Sequence, residues 1–289
     1  MNIVLFAEEE LDRPLSASDR RTKHITSILG LGPGDTFRAG VVNGVSGTAT
    51  VTDIALDGSL EFAFEPGPAP AGAFPEPDPR PAGAFPEPGA AAFPEPDPRP
   101  AGAPEPPGAG GTGGNVGLQP VRLLLGHPRP IVLKRLLRDL SSLGVERIVV
   151  AHTALGEKSY FESNLWHDGT IESLLREGAE QAGSTRLPTV ERAWTISRGI
   201  ERIVDQWESA ERVVFDNGIE ASRPAGANEK TGGSRRILAV GSERGWTDGE
   251  RAAFAEDGFD GRYLGERVLR TETAAIVAVA LTLRELGRW

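Results

Sequence analysis

A proline-rich segment between residues 66 and 117 constrains this chain more than any other feature. It holds 16 of the 23 prolines and 11 of the 36 glycines. A short unit repeats imperfectly in it, as AGAFPEPDPRP, AGAFPEPG, AAFPEPDPRP and AGAPEPP. Proline interrupts helices and central strands, and too few apolar side chains are present to offset the entropy of ordering. We therefore predict a disordered linker at 66–117 that separates domains at 1–65 and 118–289, with a partner-binding proline motif as the alternative.

Composition excludes several classes of site. The chain has no cysteine, so it has no disulfide framework, thiolate metal site or thiol nucleophile. Its four histidines are isolated in sequence, and we expect no metal. The N-terminus reaches Glu8 after a short apolar stretch, unlike a signal peptide, and the longest apolar run is too short to span a bilayer. With a net charge of −10, these features predict a soluble cytoplasmic protein that binds no membrane.

Residues 1–65 have the pattern of a small β-rich domain. Ser16-Ala-Ser-Asp19 resembles a capping box and predicts a helix to about Leu29. Strands are predicted at 36–42, 47–54 and 60–64, because Asn43-Gly44 and Asp57-Gly58 between them are typical of hairpins. The pattern favours a compact β-barrel-like domain.

After the linker, the pattern predicts alternating strands and helices. The strands are expected at 121–125, 145–150, 190–194, 212–215 and 237–240, and a last short strand is expected to end at Leu264. The helices are expected at 131–143, 171–181, 200–207, 247–256 and 273–286, the fourth opened by a capping box from Thr247 to Glu250. This alternation indicates an α/β fold with a parallel sheet covered by helices. The last helix is apolar nearly all round, so we expect it to pack against more than one surface.

Three segments that contain glycine follow late strands of the predicted sheet: Phe215-Asp-Asn-Gly218, Gly241-Ser-Glu-Arg-Gly245 and Leu264-Gly-Glu-Arg-Val-Leu-Arg-Thr-Glu-Thr-Ala274. Ligands of open parallel sheets bind beyond the carboxyl ends of the strands. Glycine lets the backbone approach a ligand closely. Each segment alone is also typical of an ordinary turn, but together they predict a ligand site.

In this order, the segments resemble the cofactor-binding region of the SPOUT methyltransferases, and of the RsmE family in particular. Residues 241–247 with Glu250 are similar to the family's Gly-Pro-Glu-Gly-Gly-Phe-(Ser/Thr) loop, and residues 264–274 to its Leu-Gly-x-x-Ile-Leu-Arg-x-Glu-Thr-Ala signature. Glu180-Gln181, with Arg186 and Pro188, is similar to its Glu-Gln…Arg…Pro segment. The chain departs from the family at Ser242 and Arg244, which stand in place of proline and glycine.

The resemblance implies a SPOUT-type parallel sheet with a C-terminal trefoil knot, preceded by a small PUA-like β-barrel domain. It also implies a homodimer, in which the knot and the dimer interface bury the last helix. The alternative is that this helix is a core helix of a monomer. It also implies S-adenosyl-L-methionine as cofactor and methylation of N3 of a uridine in small-subunit ribosomal RNA, within the assembled subunit. The cofactor-binding residues that it implies are Phe215, Gly241, Ser242, Glu243, Gly245, Leu264, Gly265, Val268, Leu269 and Thr273.

Methylation at uracil N3 removes a proton and spreads negative charge to the flanking carbonyl oxygens. Arg270 is a candidate for stabilising that charge, and Glu272 or Glu243 for accepting the proton. Alternatively, Glu272 caps its helix and Arg270 pairs with a carboxylate. Carbon-5 methylation usually proceeds through a thiolate adduct, which a chain without cysteine cannot form. Methylation of nitrogen or oxygen is therefore favoured.

Candidates for RNA contact are basic or imidazole side chains: Arg20, Arg21, Lys23, His24, Lys134, Arg138 and Arg186. Lys134 and Arg138 are four residues apart on one predicted helix and share a face that could contact phosphates, or that is simply solvated. Two other functions stay open. One is methylation of another RNA at a base nitrogen or ribose 2′-oxygen, and the other is a catalytically silent RNA-binding assembly factor.

Overall fold

The computed structural model describes residues 2–67, 117–167, 169–216, 223–224 and 234–289. The predicted linker lies almost entirely outside these residues, as do Asn217 and Gly218. No helix in the described ranges is long and apolar enough to cross a membrane. The same ranges hold no group of three or more side chains that could bind a metal ion.

The N-terminal part forms a four-stranded sheet in the order β1–β2–β3–β4. Its strands are β1 (Val4–Phe6), β2 (Thr36–Val41), β3 (Ser46–Ile54) and β4 (Leu60–Pro66). β1 and β2 are parallel, whereas the other pairs are antiparallel hairpins, which confirms the three predicted strands. β1 was missed because three residues are too few to show a period. β4 runs into the first residue of the predicted linker, since an edge strand tolerates proline.

The predicted helix between β1 and β2 is present, but it starts later than predicted. A 3₁₀ turn at Glu8–Glu10 precedes α1 (Arg20–Lys23), which continues as a π-helical turn at His24–Ile28. The N-cap is Asp19, whose carboxylate accepts a hydrogen bond from the Arg21 backbone N–H at 2.8 Å. The prediction of a capping box at Ser16 is therefore wrong, because the Arg21 side chain also binds the Asp19 carboxylate and fixes it at the helix start.

The second part forms a seven-stranded, entirely parallel sheet in the order β7–β6–β5–β10–β8–β11–β9. Its strands are β5 (Gln119–Gly126), β6 (Val145–Ala151), β7 (Thr189–Ala193), β8 (Glu211–Phe215), β9 (Arg223–Pro224), β10 (Arg236–Val240) and β11 (Asp260–Tyr263). Its helices are α2 (Pro130–Ser142), α3 (Lys158–Phe161), α4 (Thr170–Ala182), α5 (Ile196–Val204), α6 (Asp248–Glu256) and α7 (Thr271–Glu285), with a 3₁₀ turn at Asn164–Trp166. The predicted helix-covered parallel sheet is confirmed.

Both faces of this sheet carry a hydrophobic core. Leu123 and Leu125 of β5 point into the core under α2, α4 and α7, whereas Leu124 points into the core under α5 and α6. Alternate residues of a strand face opposite sides, so a central strand covered on both faces is apolar throughout. α7 packs on α2 and on β5 and β10, as the prediction of more than one packing surface requires. Val277 and Leu281, on its other side, stay half-buried.

Glu180 of α4 joins the N-terminal sheet to the parallel-sheet part. Its carbonyl oxygen accepts hydrogen bonds from the N–H groups of Asn2 and Ile3. Its buried carboxylate accepts from the Leu5 N–H at 3.2 Å and from Arg20 Nη2 at 2.7 Å. Burial raises the pKa of this carboxyl above its ordinary value, and the Arg20 charge opposes that rise. Glu180, which belongs to the Glu180-Gln181 segment, thus helps to hold the two parts of the chain together.

Candidate active site

A cleft of about 620 Å³ opens beside the carboxyl ends of β8 and β10 and the segment that follows β11. This is the edge at which parallel sheets bind ligands. Its walls come from four segments of the chain: Arg129, Val132, Phe215, Asp216, Val240, Gly241, Ser242, Glu243, Gly245, Trp246, Leu264, Arg267, Val268, Leu269, Arg270, Thr271, Glu272 and Ala274.

The loop after β10 is a tight turn. The Gly245 N–H donates to the Ser242 carbonyl at 2.9 Å, and Gly245 has a φ of +68°, which side chains rarely adopt. A Cβ on Gly241 would lie 3.2 Å from the Gly245 Cα, so both glycines keep the turn closed. Immediately afterwards Thr247 caps α6, and the predicted capping box with Glu250 is confirmed.

The segment after β11 forms the opposite wall. Gly265 has a φ of +119°, which turns the chain from β11 toward α7. Arg270 is the N-cap residue of α7, and Glu272 lies in its first turn. Among the described residues, neither side chain forms an ion pair, so the proposed pairing of Arg270 with a carboxylate is not observed. Both line the cleft.

The structure brings most of the predicted site residues together. Both candidate catalytic residues, and eight of the ten candidate cofactor-binding residues, line this cleft; Gly265 and Thr273 do not. The predicted list of cofactor-binding residues did not include Val132, Asp216 or Trp246, although Asp216 lies in the predicted segment 215–218 and Trp246 in the predicted loop 241–247. Asp216 is held by Arg251 of α6, whose Nε lies 2.7 Å from its carboxylate. Its place directly after β8, within a segment predicted to bind a ligand, was the signal that pointed to it.

Glu243 and Glu250 tie neighbouring loops to the loop after β10. Glu243 accepts a hydrogen bond from the Arg129 N–H at 3.1 Å, and thereby holds the start of α2 against the cleft. The buried Glu250 accepts from the Ala154 N–H at 2.8 Å, which holds the loop after β6. Glu243 therefore already has a structural contact, whereas Glu272 has none of this kind among the described residues.

The candidate RNA-binding residues have different environments. Arg21 is 7% exposed, and its guanidinium binds Glu10, Asp19 and the Leu5 carbonyl. It is turned into the protein, and we remove it from the RNA-binding set.

The other candidates for RNA contact are partly or fully exposed. Arg138 is half-buried and paired with Glu177, and Arg20 is paired with Glu180. His24 is half-buried in the π-helical turn. Lys23, Lys134 and Arg186 are exposed, and Arg186 donates to the Asn43 carbonyl at 2.8 Å.

Comparison with known proteins decides the family. A family model described as an RNA methyltransferase domain matches residues 117–283. A ribosomal RNA small subunit methyltransferase E of Treponema pallidum is 33% identical over 298 aligned residues, covering 100% of this chain and 93% of the relative. The chain belongs to this RNA methyltransferase family. The resemblance to the RsmE family is thereby confirmed.

Two further matches extend the comparison. A ribosomal RNA small subunit methyltransferase E 1 of Borreliella burgdorferi is 31% identical over 58% of this chain and 69% of its own length. The solved ribosomal RNA small subunit methyltransferase E of Neisseria gonorrhoeae, bound to S-adenosyl methionine, superposes with a TM-score of 0.66. That match has 17% identity and covers 98% of this chain and 97% of the other. At this identity the superposition establishes a shared fold.

Proposed function

We propose that this member of the RNA methyltransferase family transfers a methyl group from S-adenosyl-L-methionine to N3 of a uridine in small-subunit ribosomal RNA. One observation carries the proposal. The cleft at the carboxyl edge of the sheet gathers the glycine turn of 241–245 and the start of α7 in a chain of this family.

The cleft fits S-adenosyl-L-methionine in size and lining. Its volume of about 620 Å³ lies within the range of small-molecule sites. Val240, Leu264 and Leu269 supply apolar walls, while the turn at Gly241 and Gly245 presents backbone with no side chain in the way. When bound, the cofactor supplies a methyl group on a positively charged sulfur. Residues of the three predicted segments would hold it.

Arg270 and Glu272 are placed to act on the acceptor base. Both belong to the start of α7, face the same cleft and form no ion pair among the described residues. Glu272 would accept the N3 proton, since Glu243 is engaged with the Arg129 N–H. Arg270 would stabilise the charge that develops on the uracil oxygens. Orientation of the two substrates supplies much of the remaining acceleration.

RNA contact falls to exposed basic residues. Lys23 is exposed on α1, Arg186 is exposed where it donates to the Asn43 carbonyl of the N-terminal part, and Lys134 lies on the exposed side of α2. Arg20 keeps 41% of its side chain exposed despite its pair with Glu180. These few charges in a chain of net charge −10 favour a target presented by an assembled subunit over free RNA.

Further features belong to the same proposal. We infer a PUA-like role for the N-terminal sheet and a trefoil knot at the C-terminal end. β10 lies between β5 and β8, whereas β11 lies beyond β8, and this order leaves room for a knotted connection. A second copy would cover Val277 and Leu281 of α7 in a homodimer. Cytoplasmic location follows from the ribosomal substrate.

The test is methylation of small subunits from a strain that lacks the protein, followed by mass mapping of the modified nucleoside. We expect 3-methyluridine at one position. Glu272→Gln should lower kcat by about 10²-fold or more and leave cofactor affinity, measured by calorimetry, within about twofold. Glu266→Gln, an exposed acid of the same segment that does not line the cleft, is the matched control.

Other outcomes separate the alternatives. A 2′-O-methylated nucleoside would show a different acceptor within the family. Absence of cofactor binding at millimolar concentration would leave only the catalytically silent assembly factor. Equal losses in Glu272→Gln and Glu266→Gln would remove Glu272 as the base.

A further inference from the structure

A cluster of aromatic rings lies beside the cleft, at the carboxyl ends of β5, β6 and β7. Phe161 is at its centre, completely buried. His127 and His152, which directly follow β5 and β6, lie with ring centroids 5.5 and 5.8 Å from Phe161. Trp166 is 6.2 Å and Trp194 4.3 Å away. Residues from five separate segments thus build one aromatic surface.

Two features keep the cluster rigid. Arg192 of β7 lies 5.5 Å from the Phe161 ring and 5.3 Å from the Trp166 ring, and donates to the Phe161 carbonyl. His127 Nδ1 contacts the Pro128 carbonyl at 2.7 Å. Burial lowers the pKa of His127, so its ring is neutral near pH 7 and packs as an aromatic group. The buried rings of the cluster therefore form a rigid base on which an exposed ring can rest.

Trp194 is the outermost ring. It is 59% exposed although it touches the buried Phe161. Burying a tryptophan contributes more apolar area than burying almost any other side chain. The exposed face of Trp194 is therefore an apolar surface that the fold itself does not cover. An exposed aromatic ring backed by buried rings and a nearby guanidinium is the arrangement on which unpaired nucleobases stack.

The cluster is continuous with the cleft. Arg244, in the turn after β10, donates to the Leu155 carbonyl at 3.3 Å and lies 3.7 Å from Glu157. The loop after β6 that carries these two residues starts at His152, and Glu250 holds its Ala154 N–H. Arg244 replaces a glycine of the family motif, and here it links the cofactor turn to the aromatic cluster. A strand of RNA that enters the cleft would pass this surface.

We propose that an unpaired base of the substrate RNA, on the same strand as the base in the cleft but not adjacent to it, stacks on Trp194. The inference rests on the proposed RNA methyltransferase function and names a recognition site for that substrate. Stacking would orient the RNA before reaction, so Trp194 acts on RNA affinity and not on cofactor binding.

The first experiment measures binding with a labelled single-stranded oligouridylate and with an abasic oligomer of equal length and charge. The parent protein should bind the oligouridylate more tightly, because only it has bases to stack. Trp194→Ala should lower oligouridylate affinity about 5- to 150-fold, the range expected for one stacked base, and abolish the preference. Trp194→Phe should retain most of it. Trp289→Ala is the control, since Trp289 is 66% exposed and outside the cluster.

The outcomes are distinguishable. A preference for bases that survives in Trp194→Ala refutes the site, whereas its loss in a variant that still binds S-adenosyl-L-methionine in calorimetry supports it. If oligouridylate affinity is unchanged but methylation of assembled subunits falls, Trp194 contacts a ribosomal protein and the proposal is overturned. A parent protein that prefers bases yet methylates no ribosomal RNA refutes the proposed function while leaving the stacking site intact.

Discussion

Replacing Arg21 by alanine tests whether the basic residues after Asp19 serve RNA or the fold. The Arg21 Nη1 donates to the Leu5 carbonyl at 3.0 Å and to Glu10 at 2.9 Å, and its Nη2 lies 2.7 Å from Glu10 and 2.8 Å from Asp19. Its guanidinium also lies 5.1 Å from the Phe6 ring centre. We expect the substitution to destabilise the N-terminal sheet.

The magnitude follows from what the substitution leaves behind. Removing one member of a buried ion pair costs about 3–5 kcal/mol. Here the Glu10 and Asp19 side chains keep 32% and 22% exposure, so water solvates them afterwards and about 1–2 kcal/mol is the appropriate value. The lost hydrogen bond to the Leu5 carbonyl adds about 1 kcal/mol. The free energy of unfolding should fall by about 2–3 kcal/mol.

Urea denaturation followed by circular dichroism measures this loss, with Lys23→Ala as the matched control. Lys23 is exposed on the same short helix, so its substitution should change stability by less than about 0.5 kcal/mol. If Lys23 contacts phosphate, the slope of log affinity against log salt should fall by about one. An Arg21→Ala protein that is as stable as the parent but binds RNA more weakly would refute the structural role and restore Arg21 to the RNA-binding set.

Two further predictions concern acid stability and the cleft. The hydrogen bond from Arg21 lowers the pKa of Glu10 from 4.5 to about 2, so its stabilisation is present above pH 4.5 and is lost as the pH falls toward 2. Glu10→Gln should therefore lower the free energy of unfolding by about 1–2 kcal/mol at pH 7, after allowing for exposure. This difference from the parent should vanish near pH 2. Urea titrations across a pH series measure it, and a difference that stays constant would contradict the prediction. Gly265→Val forces a branched side chain to a φ of +119°, at a cost of about 1–3 kcal/mol, and should lower calorimetric cofactor affinity at least tenfold. Gly258→Val, at a φ of +73° outside the cleft, should leave that affinity unchanged.

The pattern of residues close together in sequence was sufficient to predict most of the secondary structure and many of the residues in the cleft. The alternation of apolar strands and amphipathic helices after residue 118 gave the parallel sheet, because periodicity reports directly which faces are buried. The capping box at Thr247 and Glu250 was readable because its partners are three residues apart. The glycine turns after β10 and β11 indicated the cleft, since the carboxyl ends of parallel strands meet at one edge.

Interactions between distant residues could not be predicted in this way. Arg21 and Lys23 are nearly adjacent and equally basic, yet Arg21 is buried and Lys23 is exposed, because Glu10 and Asp19 surround only one of them. Glu180 belongs to a family motif, but its buried position at the junction depends on β1, some 175 residues away. Neither environment has a signature within a sequence window.

The amino-acid sequence by itself therefore determined the family, the alternation of strands and helices, and the segments that build the cleft, because each depends on short-range order along the chain. Tertiary structure alone decided the strand order, the inward turn of Arg21 and the aromatic cluster at Phe161, whose rings come from residues 127 to 194. The physical reason is that burial and pairing of a polar or aromatic side chain depend on which distant segments the fold places beside it.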